Sequence, residues 1–167
     1  MVRTKAVLVG LIVMIVMTLD LATKRWALLE LADGRSLEVL GGLVPITLTF
    51  NQGAAFGLSI GNYSRFFFLS VTLLAIGFLL MMIWQSGPAE KARICAAALV
   101  LGGALGNLYD RVRWDRGVVD FIGPIGLGFM DWPIFNVADS AITCGAIIMG
   151  ISFLREDWRN RREAVGD

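Results

Sequence analysis

Residues 66–84, from Phe66 to Trp84, contain no charged side chain. An uncharged run of that length is close to the roughly 20 residues that carry an α-helix across the hydrocarbon core of a bilayer. Three further segments have the same character. Residues 6–19 are uncharged and end at Asp20, reaching spanning length as 6–23 if Asp20 sits near the interface. Residues 93–110 are shorter and rich in Gly and Ala, a composition that lets helices approach closely and places this segment inside a bundle. Residues 133–154 are long enough to span but contain Asp139. Charged residues make up 17% of the 167-residue chain and the mean hydropathy is +0.69. A soluble domain carries about 25% charged residues, and a soluble chain this short has too much surface to hide so much apolar mass. The expectation is an all-α membrane protein, a four-helix transmembrane bundle. It forms one membrane-embedded domain over 1–167, with spans at 6–23, 66–84, 93–110 and 133–154 and outer loops at 24–65 and 111–132.

The composition excludes several chemistries. There is no histidine, which removes Ser-His-Asp and Cys-His catalysis, imidazole zinc sites and HExxH. Cys95 and Cys144 lie in apolar runs and define neither a disulfide framework nor a CxxC motif. A net charge of +1 gives a nucleic-acid partner no electrostatic support. Arg3 and Lys5 would suit the start of a signal peptide, but no convincing A-x-A site follows and three more spans argue for an anchor. No cysteine follows the run, so a lipoprotein signal is not expected either. Four spans put both termini on one side. The tail cluster Arg155, Arg159, Arg161 and Arg162, with Arg3, Lys5, Lys91 and Arg93, favours the cytoplasm for that side. Asp20, Glu30, Asp33, Glu38, Asp110, Asp115, Asp120, Asp131 and Asp139 gather on the other. Within the outer loops, Ile46–Phe50 alternates apolar and polar, the period of a half-buried strand. Pro45 confines it to an edge or to a strand start. Gly117–Ile122 and Leu127–Trp132 flank Gly-Pro-Ile-Gly at 123–126, which reads as a small hairpin. The extracytoplasmic portion is therefore small and β-rich, and the chain beyond Leu154 reads as a basic, solvated helix end.

Asp139 is the most informative residue. A carboxylate inside an apolar span is costly and by default points to function. Asn136 lies three residues before it, on the same helical face, in the spacing of a capping box at the start of the fourth helix. The two readings are compatible. Asp120 is flanked by Val118-Val119 and Phe121-Ile122, an odd setting for a plain loop charge, although a solvated strand residue would account for it. If Asp120 and Asp139 meet, the two carboxylates cannot both ionise easily and one keeps its proton. Such a pair suits hydrolysis: the ionised acid takes a proton from water and the neutral one protonates a carbonyl. Asn107 shares a helical face with Asp110 and Arg111. An Asn at membrane depth with an Arg at its edge suits a peptide backbone or an acid, and equally suits helix–helix hydrogen bonding. Asn51-Gln52-Gly53 reads as a turn with small residues after it. Asp20 and Lys24 are spaced as an interfacial ion pair. On these residues alone three readings stand: a hydrolase, a small transporter or channel that uses Asp139 as a proton or ion site, and a scaffold in which Asp139 only caps its helix.

In chain order the motifs are Asp-x-x-x-Lys (20–24), Asn-x-Gly-Ala-Ala-Phe-Gly (51–57), Gly-Asn-x-x-Asp-Arg (106–111), Val-Val-Asp-Phe (118–121) and Phe-Asn-x-Ala-Asp-Ser (135–140). Each is weak alone. Together, on a four-span chain, they resemble lipoprotein signal peptidase, the type II signal peptidase of bacteria, over residues 6–154. The resemblance implies an intramembrane aspartyl endopeptidase of the bacterial cytoplasmic membrane with its active site near the outer face. It implies removal of the signal peptide from diacylglyceryl-modified prolipoproteins, with the cut just before the lipidated cysteine. It implies Asp120 and Asp139 as the catalytic pair, and Asn51, Asn107, Arg111 and Asn136 as polar residues of the substrate cleft. No metal or organic cofactor is implied, and inhibitors of the globomycin type are expected in the same cleft. The lipid-held substrate would enter sideways from the membrane, with the 35–60 loop covering the site from the aqueous side.

Overall fold

The computed structural model describes residues 2–53, 63–87 and 90–165. Four long helices carry the chain: α1 (Val2–Glu30), α2 (Ser64–Gln85), α3 (Lys91–Arg113) and α4 (Val137–Val165). All four are long and apolar enough to cross a membrane. The helices overrun the apolar runs that announce them. α1 continues to Glu30 and α4 to Val165, because nothing in those polar extensions breaks a helix.

α3 occupies the middle and packs against α1, α2 and α4. Its small residues permit this. A β-carbon on Gly103 would stand 2.4 Å from the Ala138 carbonyl oxygen of α4, and one on Gly102 would stand 2.9 Å from Val16 Cβ of α1. Leu79 and Ile83 of α2 close the core against Ala97 and Leu101 of α3. On their outer sides α1, α2 and α4 bare large apolar residues such as Leu11, Phe66, Leu74, Phe78 and Ile147. In lipid those residues need no cover, so close packing rather than water exclusion holds the helices together.

The two ends of the bundle differ. At one end Lys5 donates to the carbonyl oxygens of Ile83, Trp84 and Ser86, capping α2, and Arg93 of α3 pairs with Glu90 and with Glu156 of α4. At the other end lie the last turns of α1 and α3, the first turn of α4 and the strands. There β1 (Ser36–Val39), β2 (Val44–Asn51) and β3 (Val118–Ile122) form an antiparallel sheet in that order, with the 3-10 turn Leu40–Gly42 between β1 and β2.

Of the two places open to Pro45, an edge or a strand start, the structure takes the second: β2 is the central strand and Pro45 is its second residue, opposite Glu38, with its carbonyl accepting from Gly123 N–H at 2.8 Å. The hairpin expectation needs correction. Gly117–Ile122 does not pair with Leu127–Trp132; β3 pairs with β2, and Ile122 bridges to Phe135. The small hairpin instead joins β4 (Ile125–Gly126) to β5 (Asp131–Trp132). β3 is buried on both faces: Phe121 packs on Ala27 and Leu31 of α1 while Asp120 faces the other way. β3 is the last strand of the sheet, and its cover comes from α1 on one face and from the start of α4 on the other.

Candidate active site

The first turn of α4 organises the site. Asn136 is the N-cap: its Oδ1 accepts from Asp139 N–H at 2.8 Å, and Asp139 Oδ2 accepts from Asn136 N–H at 3.2 Å. This reciprocal pair is a capping box. A third free donor of that turn, Ala138 N–H, gives to Asp20 Oδ1 of α1 at 2.9 Å. The cap and the functional reading of Asp139 therefore coexist. The cap fixes the carboxylate's orientation and leaves its Oδ1 to accept from Asn107 Nδ2 of α3 at 2.8 Å.

Asn136 joins the two candidate acids, Asp139 through its backbone N–H and Asp120 through its side-chain amide. Its Nδ2 donates to Asp120 Oδ1 at 2.6 Å, with Asn107 Oδ1 at 3.1 Å and the Val119 carbonyl at 3.2 Å sharing the same two N–H groups. Asp120 is 1% exposed, which removes the solvated-strand reading, while Asp139 is half-buried. Burial pushes the Asp120 carboxyl up to about 7; the negative charge of Asp139 adds to the rise, and hydrogen bonds from Asn51 and Asn136 and the Lys24 charge oppose it. Near neutral pH Asp120 thus exchanges its proton readily, the state a general acid needs. The proton belongs to the pair as much as to either member.

Asn51 ends β2, level with Val118, and its side chain reaches Asp120 across the sheet. Its own Oδ1 accepts from Gly53 N–H at 3.0 Å, closing the turn expected there. Arg111, at the end of α3, donates to the Gly53 carbonyl at 3.1 Å and lies 5.7 Å from the Phe68 ring, pinning that turn over the site. Gly117 has φ +98°, and a β-carbon there would stand 2.3 Å from the Asn51 carbonyl oxygen, so glycine lets β3 enter beside the turn. Residues 54–57 of the Asn51 motif, and 54–60 of the loop expected to cover the site, lie outside the described residues.

All six residues expected from the sequence gather at this end. Asn136 is fully buried with both ends of its amide occupied, and Asn107 is nearly so. Their contacts are with the two acids; Asn51, Arg111 and Asp139 are the more accessible members. The sequence reading also understated one group. Lys24 is not an interfacial partner of Asp20 alone. It is buried, 2.8 Å from Asp20 Oδ2, 2.9 Å from Asp110 Oδ2 and 2.9 Å from Asn107 Oδ1. The signal for it was present, since ionisable residues at membrane depth are functional candidates by default, but helical spacing paired Asp20 with Lys24 and gave no sign of Asp110 arriving from α3. Among the described residues no cluster of three or more His, Cys, Asp or Glu is placed to hold a metal ion.

Sequence comparison decides the family. The profile described as signal peptidase (SPase) II matches residues 12–155. The chain belongs to the signal peptidase II family. Its members are aspartic peptidases, hence hydrolases. Among the relatives, the lipoprotein signal peptidase of Syntrophomonas wolfei subsp. wolfei is 40% identical over 151 residues, covering 90% of this chain and 95% of that one. That of Syntrophus aciditrophicus is 36% identical over 145 residues, 85% and 89% of the two chains. That of Halothermothrix orenii is 34% identical over 160 residues, 96% and 100%. Two solved bacterial membrane enzymes share the fold. One has a TM-score of 0.79 at 33% identity, covering 89% of this chain and 88% of its own; the other has 0.77 at 34%, covering 87% and 92%. Four apolar helices and these neighbours make the chain a multi-pass membrane protein.

Proposed function

We propose that the chain is an intramembrane aspartyl endopeptidase that removes signal peptides from prolipoproteins, cutting just before a diacylglyceryl-modified cysteine, with Asp120 and Asp139 as its catalytic pair. Family membership supports the reaction. The observation that carries the residue assignment is that one buried residue, Asn136, holds both carboxyl groups at the mouth of the bundle, Asp120 by its side-chain amide and Asp139 by its backbone N–H.

In this reading the ionised member of the pair takes a proton from water as its oxygen attacks the scissile carbonyl carbon. The protonated member gives its proton to the carbonyl oxygen, so no free oxyanion has to form. The tetrahedral diol then collapses, the leaving nitrogen receives a proton, and the products are a signal peptide with a new carboxylate and a lipoprotein with a free cysteine amine. The proton that Asp120 holds near neutral pH equips it as the acid, and Asp139, which is more accessible, stands nearer the water. Asn107 and Asn136 orient the pair. Asn51 and Arg111, with the Gly53 carbonyl, form the side of the cleft toward the substrate backbone. The lipidated cysteine is held in the leaflet by its acyl chains, and the signal peptide before it is an apolar helix, so both arrive through membrane lipid. The topology follows: bacterial cytoplasmic membrane, both termini in the cytoplasm beside Lys5 and the arginine-rich tail, the site near the outer face. The bundle with its strands acts as one membrane-embedded domain, and globomycin-type inhibitors compete for the cleft.

The test is cleavage of a prolipoprotein peptide in detergent micelles, with and without diacylglycerol on its cysteine. Wild type should cut only the lipidated form. Asp139→Asn and Asp120→Asn should lose more than about a thousandfold in rate, roughly 4 kcal/mol of barrier, while remaining folded. A folded variant keeping a tenth of the wild-type rate would sink the pair. A folded wild type that cuts nothing would sink the reaction and leave ion transport through Asp139 to be measured.

A further inference from the structure

The mechanism leaves one buried charge unused. Lys24 is 2% exposed, in the apolar first helix, and its ammonium has three neighbours: Asp20 on its own helix, and Asp110 and Asn107 on α3. Asp20 and Asp110 are occupied elsewhere as well. Asp20 Oδ1 accepts from Ala138 N–H of α4 at 2.9 Å, and Asp110 Oδ2 accepts from Val119 N–H of β3 at 3.2 Å. One ammonium thus joins the carboxylates that anchor the two segments carrying Asp139 and Asp120. Gly106 leaves room for this: a β-carbon there would stand 2.5 Å from Asp20 Oδ2.

The contact with Asn107 has the sharper consequence. A side-chain amide has an oxygen that only accepts and a nitrogen that only donates. The Asn107 oxygen receives both Lys24 Nζ at 2.9 Å and Asn136 Nδ2 at 3.1 Å. A flip would set the Asn107 NH2 group against an ammonium that has only donors. The amide is therefore locked with Nδ2 toward Asp139 Oδ1, 2.8 Å away. We infer that Lys24 is a positioning residue for the proposed peptidase reaction: its ammonium locks the Asn107 amide so that Asn107 donates to Asp139, and its positive charge bears on the aspartate pair from the α1 side. The inference rests on the assignment of Asp120 and Asp139.

The charge acts on Asp120 among several others. Asp120 faces Asp139 and Asn136 of the α4 turn, Asn51 of β2, Lys24 of α1, and the field of Arg111 of α3. Asp139 and burial raise its pKa; Lys24 lowers it. Removing the ammonium therefore moves the alkaline limb of the rate profile, where Asp120 loses its proton, to higher pH.

The experiment compares Lys24→Met, Lys24→Arg and the charge-balanced double variant Lys24→Met with Asp110→Asn against wild type and Asp139→Asn. Cleavage of the lipidated peptide is followed from pH 5 to 9, and folding by thermal unfolding in the same micelles. The Met variants should lose up to about 100-fold in kcat, the scale of a misplacement of about 1 Å among reacting groups. KM should change little, and the alkaline limb should move upward. Lys24→Arg, which keeps the charge and donors to Asn107, should recover a substantial part of kcat and the wild-type limb. If Lys24→Met does not fold, the double variant and Lys24→Arg carry the test. A folded Met variant within twofold of wild-type kcat overturns the inference, as does a loss of rate with an unmoved pH profile. An active wild type with an inactive Asp139→Asn keeps the catalytic assignment standing whatever Lys24 does; an active Asp139→Asn removes the assignment itself.

Discussion

Gly103→Ala adds one methyl group where α3 crosses α4. The new carbon would stand 2.4 Å from the Ala138 carbonyl oxygen and 2.7 Å from Ile142 Cγ1, whereas ordinary contact begins near 3.4 Å. The shortfall is about 1 Å, and the obstacle on one side is backbone, which cannot swing away. α3 and α4 must therefore part by a good fraction of an ångström one turn below Asn107. The 2.8 Å bond from Asn107 to Asp139 bridges the same two helices and would stretch beyond hydrogen-bond range. Two effects on stability oppose each other. Replacing glycine inside a helix gains about 1 kcal/mol, and overpacking a tight contact costs about 1–3 kcal/mol. The net loss in stability is modest. The loss in activity is not, since a displacement of about 1 Å between catalytic groups costs on the order of a hundredfold. The assay is cleavage of a lipidated prolipoprotein peptide in micelles, with thermal unfolding alongside. Activity should fall about a hundredfold while the unfolding midpoint moves by only a few degrees. Gly77→Ala is the control, because nothing lies within 4 Å of its added carbon; it should keep full activity. Full activity in Gly103→Ala would refute the claim that helix spacing sets the Asn107–Asp139 bond.

Other outcomes follow from single contacts. The Asp120 carboxyl, raised to about 7 by burial from an ordinary value of 3.8, binds its proton more tightly folded than unfolded. Its protonated form therefore favours folding below about pH 4, and that advantage is lost as pH rises through about 7. Asp120→Asn should accordingly be more stable than wild type at pH 8, by on the order of a few kcal/mol, read as a higher unfolding midpoint, with the difference fading toward pH 4; an equal difference at both pH values would count against a buried, proton-holding Asp120. For the same reason, wild-type cleavage should decline above about pH 7 as the acid loses its proton. At the opposite end of the bundle Lys5→Met removes three donors from the last carbonyls of α2 and should lower stability by about 1–3 kcal/mol with kcat unchanged, read by unfolding and cleavage in parallel.

Local features were legible without the fold. Long, predominantly apolar runs named the four helices, because in lipid a backbone must satisfy its own hydrogen bonds. The Asn136–Asp139 spacing announced a capping box, and the Asn51–Gly53 turn and the strand at 46–50 followed from their own residues. A small-residue third segment announced a central helix, since only glycine and alanine permit the approach that Gly102 and Gly103 allow. β1, Ser36-Leu37-Glu38-Val39, alternates polar and apolar over only four residues, all of them exposed; so short a run does not separate a strand from a loop, and it is a strand because β2 lies beside it.

What the tertiary structure decided is which distant residues meet. Helical spacing pairs Asp20 with Lys24 and Asn107 with Arg111, but nothing in either helix says that Lys24 points at Asn107 and Asp110, 83 and 86 positions along the chain. Asp120 could have been a solvated strand residue; it is a buried acid because β3 turned its Phe121 face to α1 and its other face to the α4 cap. Spacing rules reach only three or four residues, and a proton shared between two carboxyl groups depends on distances of a few ångströms across three helices and a strand. The sequence supplied the acids and the amides, and packing around Gly103, Gly106 and Gly117 brought them within reach of one another.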